Sequence, residues 1–375
     1  MNDIHLHHVF NYTDVDRAFW AEHLEDWVPQ RVLDAHIHIV DPSFRTVPLT
    51  EEMLKSYWVM ELDEMMSADT AAHCFRTIFP GRDVSCVGFG YPMPGWDIEG
   101  ANAYNWEELP KRGWHTLAMV RPSWSAEQVD ALFTHPGVIA VKPYFALIGD
   151  DVGERDQHLE CSIFDMLPHH QLEVLNTRRA WITLHVPRAG RLGHPDNLKE
   201  IRELRSRYPD ARVVIAHLGR SYTLPHAREG LLPLADDPGL YYDTSAVLNP
   251  DVLTFALQHI RNDRILYGTD NPIFLMRGRR QWHGRTYVNR TSHPFHFNTE
   301  RESPEIEAQY TLYTYEALRA LKQACRANDI GQDGVEKLFF RNAEALIAGR
   351  LSLGTRSTCD WKASTASESM PTGWR

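Results

Sequence analysis

Short apolar segments rich in β-branched residues alternate with longer segments of helical periodicity between about residues 31 and 349 of this chain. This alternation is the pattern of a parallel α/β fold. The predicted strands cover residues 31–40, 84–90, 114–120, 138–143, 180–186, 212–217, 240–244 and 264–268. The clearest helical segments, with apolar residues at i, i+3 and i+4, are 163–179, 195–208 and 251–262.

Eight strands with intervening helices favour a closed (β/α)8 barrel of the TIM type over an open doubly wound sheet, which commonly has fewer strands. The chain also lacks the glycine-rich phosphate loop that would indicate a nucleotide. Its 375 residues fit one large catalytic domain. We expect an N-terminal extension over residues 1–30, the barrel over 31–350, and a disordered tail rich in Ser, Thr and Gly over 351–375.

Three connecting segments are too long for ordinary loops in a compact domain. They cover residues 41–72, 92–113 and 271–303, and each is rich in Trp, Tyr, Arg, Pro or Gly. Long loops of this kind are commonly functional, and their aromatic content favours packed structure over disorder. We therefore expect them to be loop insertions that cover the C-terminal face of the barrel.

Charge and composition exclude several classes of partner. The net charge is −11, and the 39 Lys and Arg residues are scattered along the chain, so no nucleic-acid partner is expected. No stretch approaches 18 apolar residues, and the first ten residues do not resemble a signal peptide, so no membrane association is expected. Five cysteines without a C-x-x-C pair favour reduced thiols and a cytoplasmic location.

The first predicted strand contains Asp34-Ala-His-Ile-His38, in which every second residue is polar. Alternate residues of a strand share one face, so Asp34, His36 and His38 are expected to project together. Two imidazoles placed two residues apart on one strand can reach a single metal ion. The competing interpretation is a pair of hydrogen-bonded core histidines, although burying two adjacent imidazoles without partners is costly.

Polar residues also terminate three later strands. His185 and His217 each close a predicted strand, and Asp270 follows the last one. The carboxyl ends of all barrel strands meet at one face, so these residues are expected to converge although they are distant in sequence. Each of them alone is compatible with a structural role. Together with the histidines of the first strand, they predict one polar cavity.

These motifs resemble those of the amidohydrolase superfamily, and in particular its amidohydrolase-related branch, also called amidohydrolase family 2. The matching segments occur in the family's order and span about residues 31 to 349. They are Asp34-Ala-His-Ile-His38, Thr183-Leu-His185, Ile215-Ala-His217-Leu-Gly219, Tyr267-Gly-Thr-Asp-Asn-Pro272 and Phe340-Arg-Asn-Ala343. The resemblance implies a distorted (β/α)8 barrel with a divalent metal ion, often zinc, which is the ion expected here.

The resemblance further implies that the metal is bound by His36, His38, His185 and Asp270, with His217 beside it. Such a ligand set leaves a position for water, and bound Zn²⁺ lowers the pKa of that water to about 7. Asp270 would then be both a ligand and a proton acceptor. His217 would stabilise the negative charge that attack on a carbonyl builds on oxygen. Asp270 and His217 are therefore the catalytic candidates.

Lys142 ends the fourth predicted strand, where some superfamily members carry a carboxylated lysine that bridges two metal ions. If Lys142 is carboxylated, His185 and His217 would bind a second ion. If it remains an ammonium group, it would pair with a substrate carboxylate or a neighbouring acid. The amidohydrolase-related branch usually binds one metal, so a mononuclear site is expected.

Arg188 and Arg220 each follow a predicted site histidine by three residues and could reach over the barrel mouth to bind an anionic group of the substrate. The alternative is that both are surface charges near helix ends. The segment after Asp270 is also basic, and it would either attract a carboxylate-bearing substrate or contact a second subunit. A homodimer is the default expectation for the assembly.

The resemblance favours hydrolysis of a small-molecule amide, lactone or ester by a metal-activated water. The alternative within the same branch is metal-dependent, non-oxidative decarboxylation of an aromatic or enoic acid. Some decarboxylases carry Glu where His36 stands, so the intact His-x-His pair leans towards hydrolysis. A third interpretation, a noncatalytic barrel, would be marked by the loss of a ligand, and none of the expected ligands is missing.

Overall fold

The computed structural model describes residues 10–48, 50–56, 61, 66–149, 155–298 and 300–351. Its main sheet has eight parallel strands, each hydrogen-bonded to the next in chain order. These strands are β1 (Arg31–His38), β2 (Asp83–Phe89), β3 (His115–Met119), β4 (Val138–Lys142), β5 (Trp181–Leu184), β6 (Arg212–Ile215), β7 (Leu240–Asp243) and β8 (Ile265–Leu266).

Backbone hydrogen bonds join the two ends of this sheet. Ala35 N, on β1, donates to Tyr267 O, just after β8, at 2.9 Å. Asp270 N donates to His36 O at 2.8 Å. The sheet therefore forms a (β/α)8 barrel, which confirms the fold class predicted from the alternation of strands and helices.

Helices precede the first strand, lie between the strands and follow the last one. They are α1 (Asp14–Phe19), α2 (Glu51–Ser56), α3 (Ala68–Ile78), α4 (Ile98–Glu108), α5 (Ala126–Leu132), α6 (Ile163–Met166), α7 (His169–Thr177), α8 (Pro195–Arg207), α9 (His217–Arg220), α10 (Leu224–Leu231), α11 (Pro250–His259), α12 (Pro304–Glu307), α13 (Tyr313–Ala327), α14 (Gln332–Glu336) and α15 (Asn342–Leu351). In the described part of the chain, no helix is long and apolar enough to cross a membrane.

The segment predicted as one helix over residues 163–179 consists of two helices, α6 and α7. The break falls at Pro168, which has an extended conformation at the N-cap of α7. A proline has no N–H to continue a helix and disfavours helical geometry in the residue before it. The apolar periodicity spans both helices, because both pack against the same core.

The long insertions contain regular structure that was not predicted. Residues 92–113 include helix α4, and residues 271–303 include an antiparallel hairpin of β9 (Gly278–His283) and β10 (Thr286–Thr291). Of the insertion 41–72, residues 49, 57–60 and 62–65 lie outside the described residues, as does the predicted tail from residue 352 onward.

The N-terminal segment packs against the barrel. Trp20, Leu24 and Val28 are buried in the main apolar core. The buried carboxylate of Asp16 pairs with the Arg277 guanidinium, which precedes β9. This buried ion pair ties the start of the described chain to the insertion that follows β8.

Candidate metal centre

The predicted site residues gather at the carboxyl ends of the strands. His36 and His38 lie on β1, and Asp270 follows β8. The Nε2 atoms of both histidines lie 3.4 Å from the same oxygen, Oδ1 of Asp270. All three side chains are buried, and one potential ligand atom from each lies within 4.8 Å of the others. The structure thus brings together three of the four predicted metal ligands.

Hydrogen bonds at Nδ1 determine which ring nitrogen is available to a metal. His38 Nδ1 donates to Gly90 O at 3.0 Å, because a carbonyl oxygen only accepts. His36 Nδ1 donates to Asp243 Oδ2 at 2.9 Å. Both rings therefore present a lone pair at Nε2. Among the described residues, His36 Nε2 has no hydrogen-bond partner although the side chain is only 1% exposed.

This arrangement fits a divalent cation. Two imidazole lone pairs and a carboxylate oxygen repel one another when they face across about 3.4 Å in a buried cavity. A cation between them turns that repulsion into attraction, and imidazole and carboxylate ligands suit zinc. The orphaned Nε2 of His36 is the observation on which this fit rests.

Asp243, at the end of β7, organises the histidines. Its Oδ2 accepts from His36 Nδ1, and its Oδ1 accepts from His217 N at 2.8 Å and from Ser245 N at 3.2 Å. His36, His217 and Asp243 form a second compact group of metal-binding residue types. Because Asp243 is already hydrogen-bonded to both partners, its geometry is that of a carboxylate orienting a metal-binding histidine.

Sequence reasoning missed Asp243, although a signal was present. The residue closes a predicted strand in the same way as His185 and His217 close theirs. His217 also donates through Nδ1 to Ser245 O at 3.1 Å, so Asp243 at the end of β7 orients His36 and Ser245 just after it orients His217.

The electrostatics of the site keep both acids ionised. Burial acts to raise the pKa of Asp270, but His217, His38 and His36 outweigh it and hold this pKa well below its usual range. Burial likewise opposes the ionisation of Asp243, yet the adjacent His36 lowers its pKa to about 2. Burial, with the Lys142 ammonium group, lowers the pKa of His36 to about 3, so His36 is neutral, as a ligand must be.

The backbone at the site adopts left-handed conformations. Asp270 has φ 64°, and His217, Leu218, Gly219 and Arg220 have φ 55°, 48°, 72° and 61°. Such conformations cost free energy in non-glycine residues and persist where the surroundings hold them, often at functional sites. The bond from Asp270 N to His36 O is one such restraint, and it aims the carboxylate at the two histidines.

Two residues outside the predicted ligand set fix the approach of β1 and the segment after β8. Asp34 Oδ1 accepts from Thr269 N at 2.9 Å and from His36 N at 3.1 Å. Gly268 allows the close approach, because a Cβ there would lie 2.9 Å from the Cβ of His36. Asp34 therefore connects the two chain segments that carry three of the four predicted ligands, His36, His38 and Asp270.

His185 lies nearby but outside both compact groups of described metal-binding residues, and Lys142 lies at the end of a neighbouring strand. The His185 ring centroid is 5.3 Å from that of His217 and 4.9 Å from that of Tyr144. Lys142 is buried at the end of β4, with Nζ 4.8 Å from the ring centroid of Phe89. Burial lowers the pKa of Lys142 to about 8, although Asp243 and Asp270 oppose this shift.

The two predicted substrate-binding arginines have different environments. The Arg188 guanidinium donates to Asn197 Oδ1 at 2.6 Å and to both oxygens of Glu200 at 3.0 and 2.7 Å, so it anchors the loop after β5 to helix α8. Arg220 donates to the backbone carbonyl of Arg188 at 2.8 Å. In the part of the chain that the structure describes, Arg220 has no carboxylate within ion-pair distance.

Solved structures of similar fold share little sequence with this chain. An amidohydrolase from Burkholderia multivorans with bound zinc is 12% identical, with a TM-score of 0.54 over 84% of this chain and 99% of that one. A probable 2-pyrone-4,6-dicarboxylic acid hydrolase from Acinetobacter baumannii, with citric acid bound, is 14% identical, with a TM-score of 0.51 over 84% and 99%. A 5-carboxyvanillate decarboxylase from Sphingomonas paucimobilis is 11% identical, with a TM-score of 0.52 over 85% and 99%.

Comparison with curated proteins gives no significant match. The model of the amidohydrolase family Amidohydro_2, in contrast, matches residues 96–347, which is about two thirds of the chain. Members of this family are metal-dependent enzymes that include hydrolases and decarboxylases. The match spans β3 to β8 with their loops, and therefore includes His185, His217, Asp243 and Asp270. The chain belongs to the amidohydrolase family.

Proposed function

We propose that this protein is a metal-dependent hydrolase of a small-molecule amide, lactone or ester. The metal, which we take to be zinc, would be held by His36, His38, His185 and Asp270, without a carboxylated Lys142. The observation that carries the proposal is the pair of Nε2 lone pairs directed at Asp270 Oδ1 from 3.4 Å. The zinc bound in the Burkholderia multivorans amidohydrolase supports the choice of metal.

A bound zinc ion supplies Lewis acidity, which makes water a better nucleophile near neutral pH and polarises the substrate carbonyl. Asp270, kept ionised by the surrounding histidines, accepts the proton of the attacking water. His217 has its Nδ1–H committed to Ser245 O, so Nε2 is the lone-pair nitrogen. We assign it the role of sharing that proton and then stabilising the negative charge on the former carbonyl oxygen.

Decarboxylation of an aromatic or enoic acid is the second candidate for the same site. It draws support from the structural similarity to the 5-carboxyvanillate decarboxylase and from Arg220, which within the described residues has no carboxylate at ion-pair distance. Hydrolysis consumes water, whereas decarboxylation releases CO₂ and places a solvent proton on carbon. In isotopically labelled water, the two reactions therefore introduce different labels into the product, oxygen from hydrolysis and hydrogen on carbon from decarboxylation.

The test is an isotope experiment on zinc-loaded protein with panels of carboxylate-bearing lactones, esters, amides and aromatic acids. In H₂¹⁸O, hydrolysis predicts one ¹⁸O atom in the product, and the reaction should stop when the zinc is chelated. CO₂ release with a solvent deuteron on product carbon in D₂O would overturn hydrolysis in favour of the second candidate. Turnover that survives complete removal of zinc would contradict both.

Asp270→Asn tests the proton-transfer role. We expect kcat, expressed per bound zinc, to fall by about 10²–10⁴-fold, because a general base is lost. KM should change far less, since the carboxylate is assigned to the chemical step rather than to substrate binding. A variant with wild-type kcat would remove Asp270 from the mechanism.

A further inference from the structure

The two faces of the β9–β10 hairpin differ in whether their arginines form ion pairs with carboxylates. Residues paired across an antiparallel ladder share a face, and Arg279 pairs with Arg290 in this register. On that face both arginines form ion pairs, Arg279 with Glu302 and Arg290 with Glu300. The arginines of this face are therefore neutralised within the chain.

The opposite face carries Arg280, paired in register with Asn289. Arg280 is 6% exposed, and its guanidinium donates to Asn289 Oδ1 at 2.9 Å and to Ala246 O at 3.1 Å. It lies 4.3 Å from the ring centroid of Tyr287 and 5.5 Å from that of Tyr222. Within the described residues, it has no carboxylate at ion-pair distance, which is unusual for a buried cation.

Two further arginines reach the same place from barrel loops. Arg191, after β5, lies 5.2 Å from the ring centroid of Tyr222 and donates to Arg220 O at 3.0 Å. Among the residues that the structure describes, Arg220, after β6, donates only to backbone carbonyls, at 2.8 and 3.3 Å. Burial lowers the pKa of Arg191, and the charges of Arg220 and Arg280 add to this effect. We call Arg191, Arg220 and Arg280 the arginine cluster.

The arginine cluster borders the candidate metal centre. The ring centroid of Tyr222, against which Arg191 and Arg280 lie, is 6.5 Å from that of His217. Arg280 contacts the carbonyl of Ala246, next to Ser245, which binds His217. A small molecule with one group at the metal centre is therefore within reach of the arginine cluster with another.

We infer that the arginine cluster binds a carboxylate of the substrate, so that the enzyme acts on a planar organic acid whose reacting group lies at the metal centre. This inference rests on the proposed function for the position of the reacting group. Guanidinium groups match a carboxylate with paired hydrogen bonds, and the carboxylate supplies the negative charge that the cluster lacks. The tyrosine rings beside the guanidinium groups provide flat apolar surface for the rest of the molecule.

The test is calorimetric titration of the zinc-loaded protein with benzoate, its uncharged analogue benzamide, and inorganic phosphate. We expect benzoate to bind more tightly than either of the others. Arg280→Gln should raise the Kd of benzoate at least about tenfold, the loss expected when one charged hydrogen-bond donor is removed. Arg285→Gln is the matched control on the same hairpin, because Arg285 is exposed and paired with Glu229, and it should leave Kd unchanged.

Equal effects of Arg280→Gln and Arg285→Gln would overturn the inference, as would tighter binding of benzamide or phosphate than of benzoate. If Arg280→Gln does not fold, as judged by thermal unfolding, Arg191→Gln replaces it, because Arg191 is only half-buried. Its effect on the Kd of benzoate is then compared with that of Arg285→Gln. Zinc content measured on each sample separates the two proposals. Arginine-dependent benzoate binding without bound zinc would refute only the metal centre, whereas bound zinc with arginine-independent binding would refute only the arginine cluster.

Discussion

Asp243 illustrates how a residue that is not a predicted ligand can organise the candidate metal centre. Its carboxylate receives the Nδ1–H of His36, which leaves the lone pair of that ring on the nitrogen nearest Asp270. The same carboxylate accepts from the backbone of His217 and Ser245, so three residues share one buried anion. The tautomer of His36 therefore depends on β7, a strand far from it in sequence.

Asp243→Asn tests this role. The amide has nearly the same shape but offers His36 a weaker acceptor, so we expect zinc affinity to fall by about 10- to 100-fold. The measurement is competition for zinc with a chromogenic chelator at pH 7. Unchanged affinity in a folded variant would show that Asp243 does not orient the ligand.

Alternation along β1 and polar residues at strand ends were sufficient to predict the buried grouping of His36, His38 and Asp270. Gly268, which lets β1 and the segment after β8 approach each other, was not predictable, because its role depends on a distance between two strands. A Cβ at this position would not fit beside His36.

Gly268→Ala should lower the free energy of unfolding by about 1–3 kcal/mol, because a buried methyl group would overlap the Cβ of His36. Zinc affinity should fall as well. Gly349→Ala is the control, since it lies within helix α15 and the atoms nearest to its Cβ would be those of the movable guanidinium of Arg212. Urea unfolding of the metal-free protein measures the free energy of unfolding of the two variants. Equal stability of Gly268→Ala and Gly349→Ala would contradict the close approach.

At the level of elements, the barrel strands were predictable because they are short apolar runs, whereas the hairpin was not. The β9 and β10 strands are rich in Arg, Gln, Asn and Thr, so they lack the apolar alternation by which strands are recognised. Helix α4 similarly has no single apolar stripe, since Ile98, Ala101, Asn102 and Asn105 are its buried residues. Elements that pack through polar residues escape prediction from hydrophobic pattern.

The ion pair between Arg188 and Glu200 holds the loop after β5 against helix α8. Burial acts to raise the pKa of Glu200, but hydrogen bonds from Arg188 and from Ile163 N outweigh it, and the pKa is lowered. A lowered pKa contributes stability that is present above the unfolded-state pKa and is lost as the pH falls through the folded-state value.

Glu200→Gln should therefore destabilise metal-free protein by about 2 kcal/mol at pH 7, the value of a charged hydrogen bond. The difference from wild type should shrink as the pH falls below about 4, because the wild-type carboxylate becomes protonated. Glu203→Gln, which breaks an exposed pair with Arg207 on the same helix, should change stability by less than about 1 kcal/mol. A Glu200→Gln effect that is independent of pH would contradict the ion-pair account.

In the whole molecule, barrel closure places residues from both ends of the chain in one cavity. The bond from Asp270 N to His36 O closes the sheet and also aligns the candidate ligands, so the fold and the geometry of the candidate metal centre depend on the same contact. The Asp16–Arg277 pair then fixes the base of the insertion that carries Arg280. The barrel thus carries the candidate metal centre together with Arg191 and Arg220, and the insertion adds Arg280 to the arginine cluster.

The most direct measurement of the central claim is the number of zinc ions per chain, determined by elemental analysis of wild type, His38→Ala and Lys142→Ala. The account predicts a value near one for wild type and Lys142→Ala, and near zero for His38→Ala. Because the proposed ligands exclude Lys142, its loss should leave the ion in place. A value near two that falls in Lys142→Ala, or a full ion in folded His38→Ala, would contradict the single-metal centre.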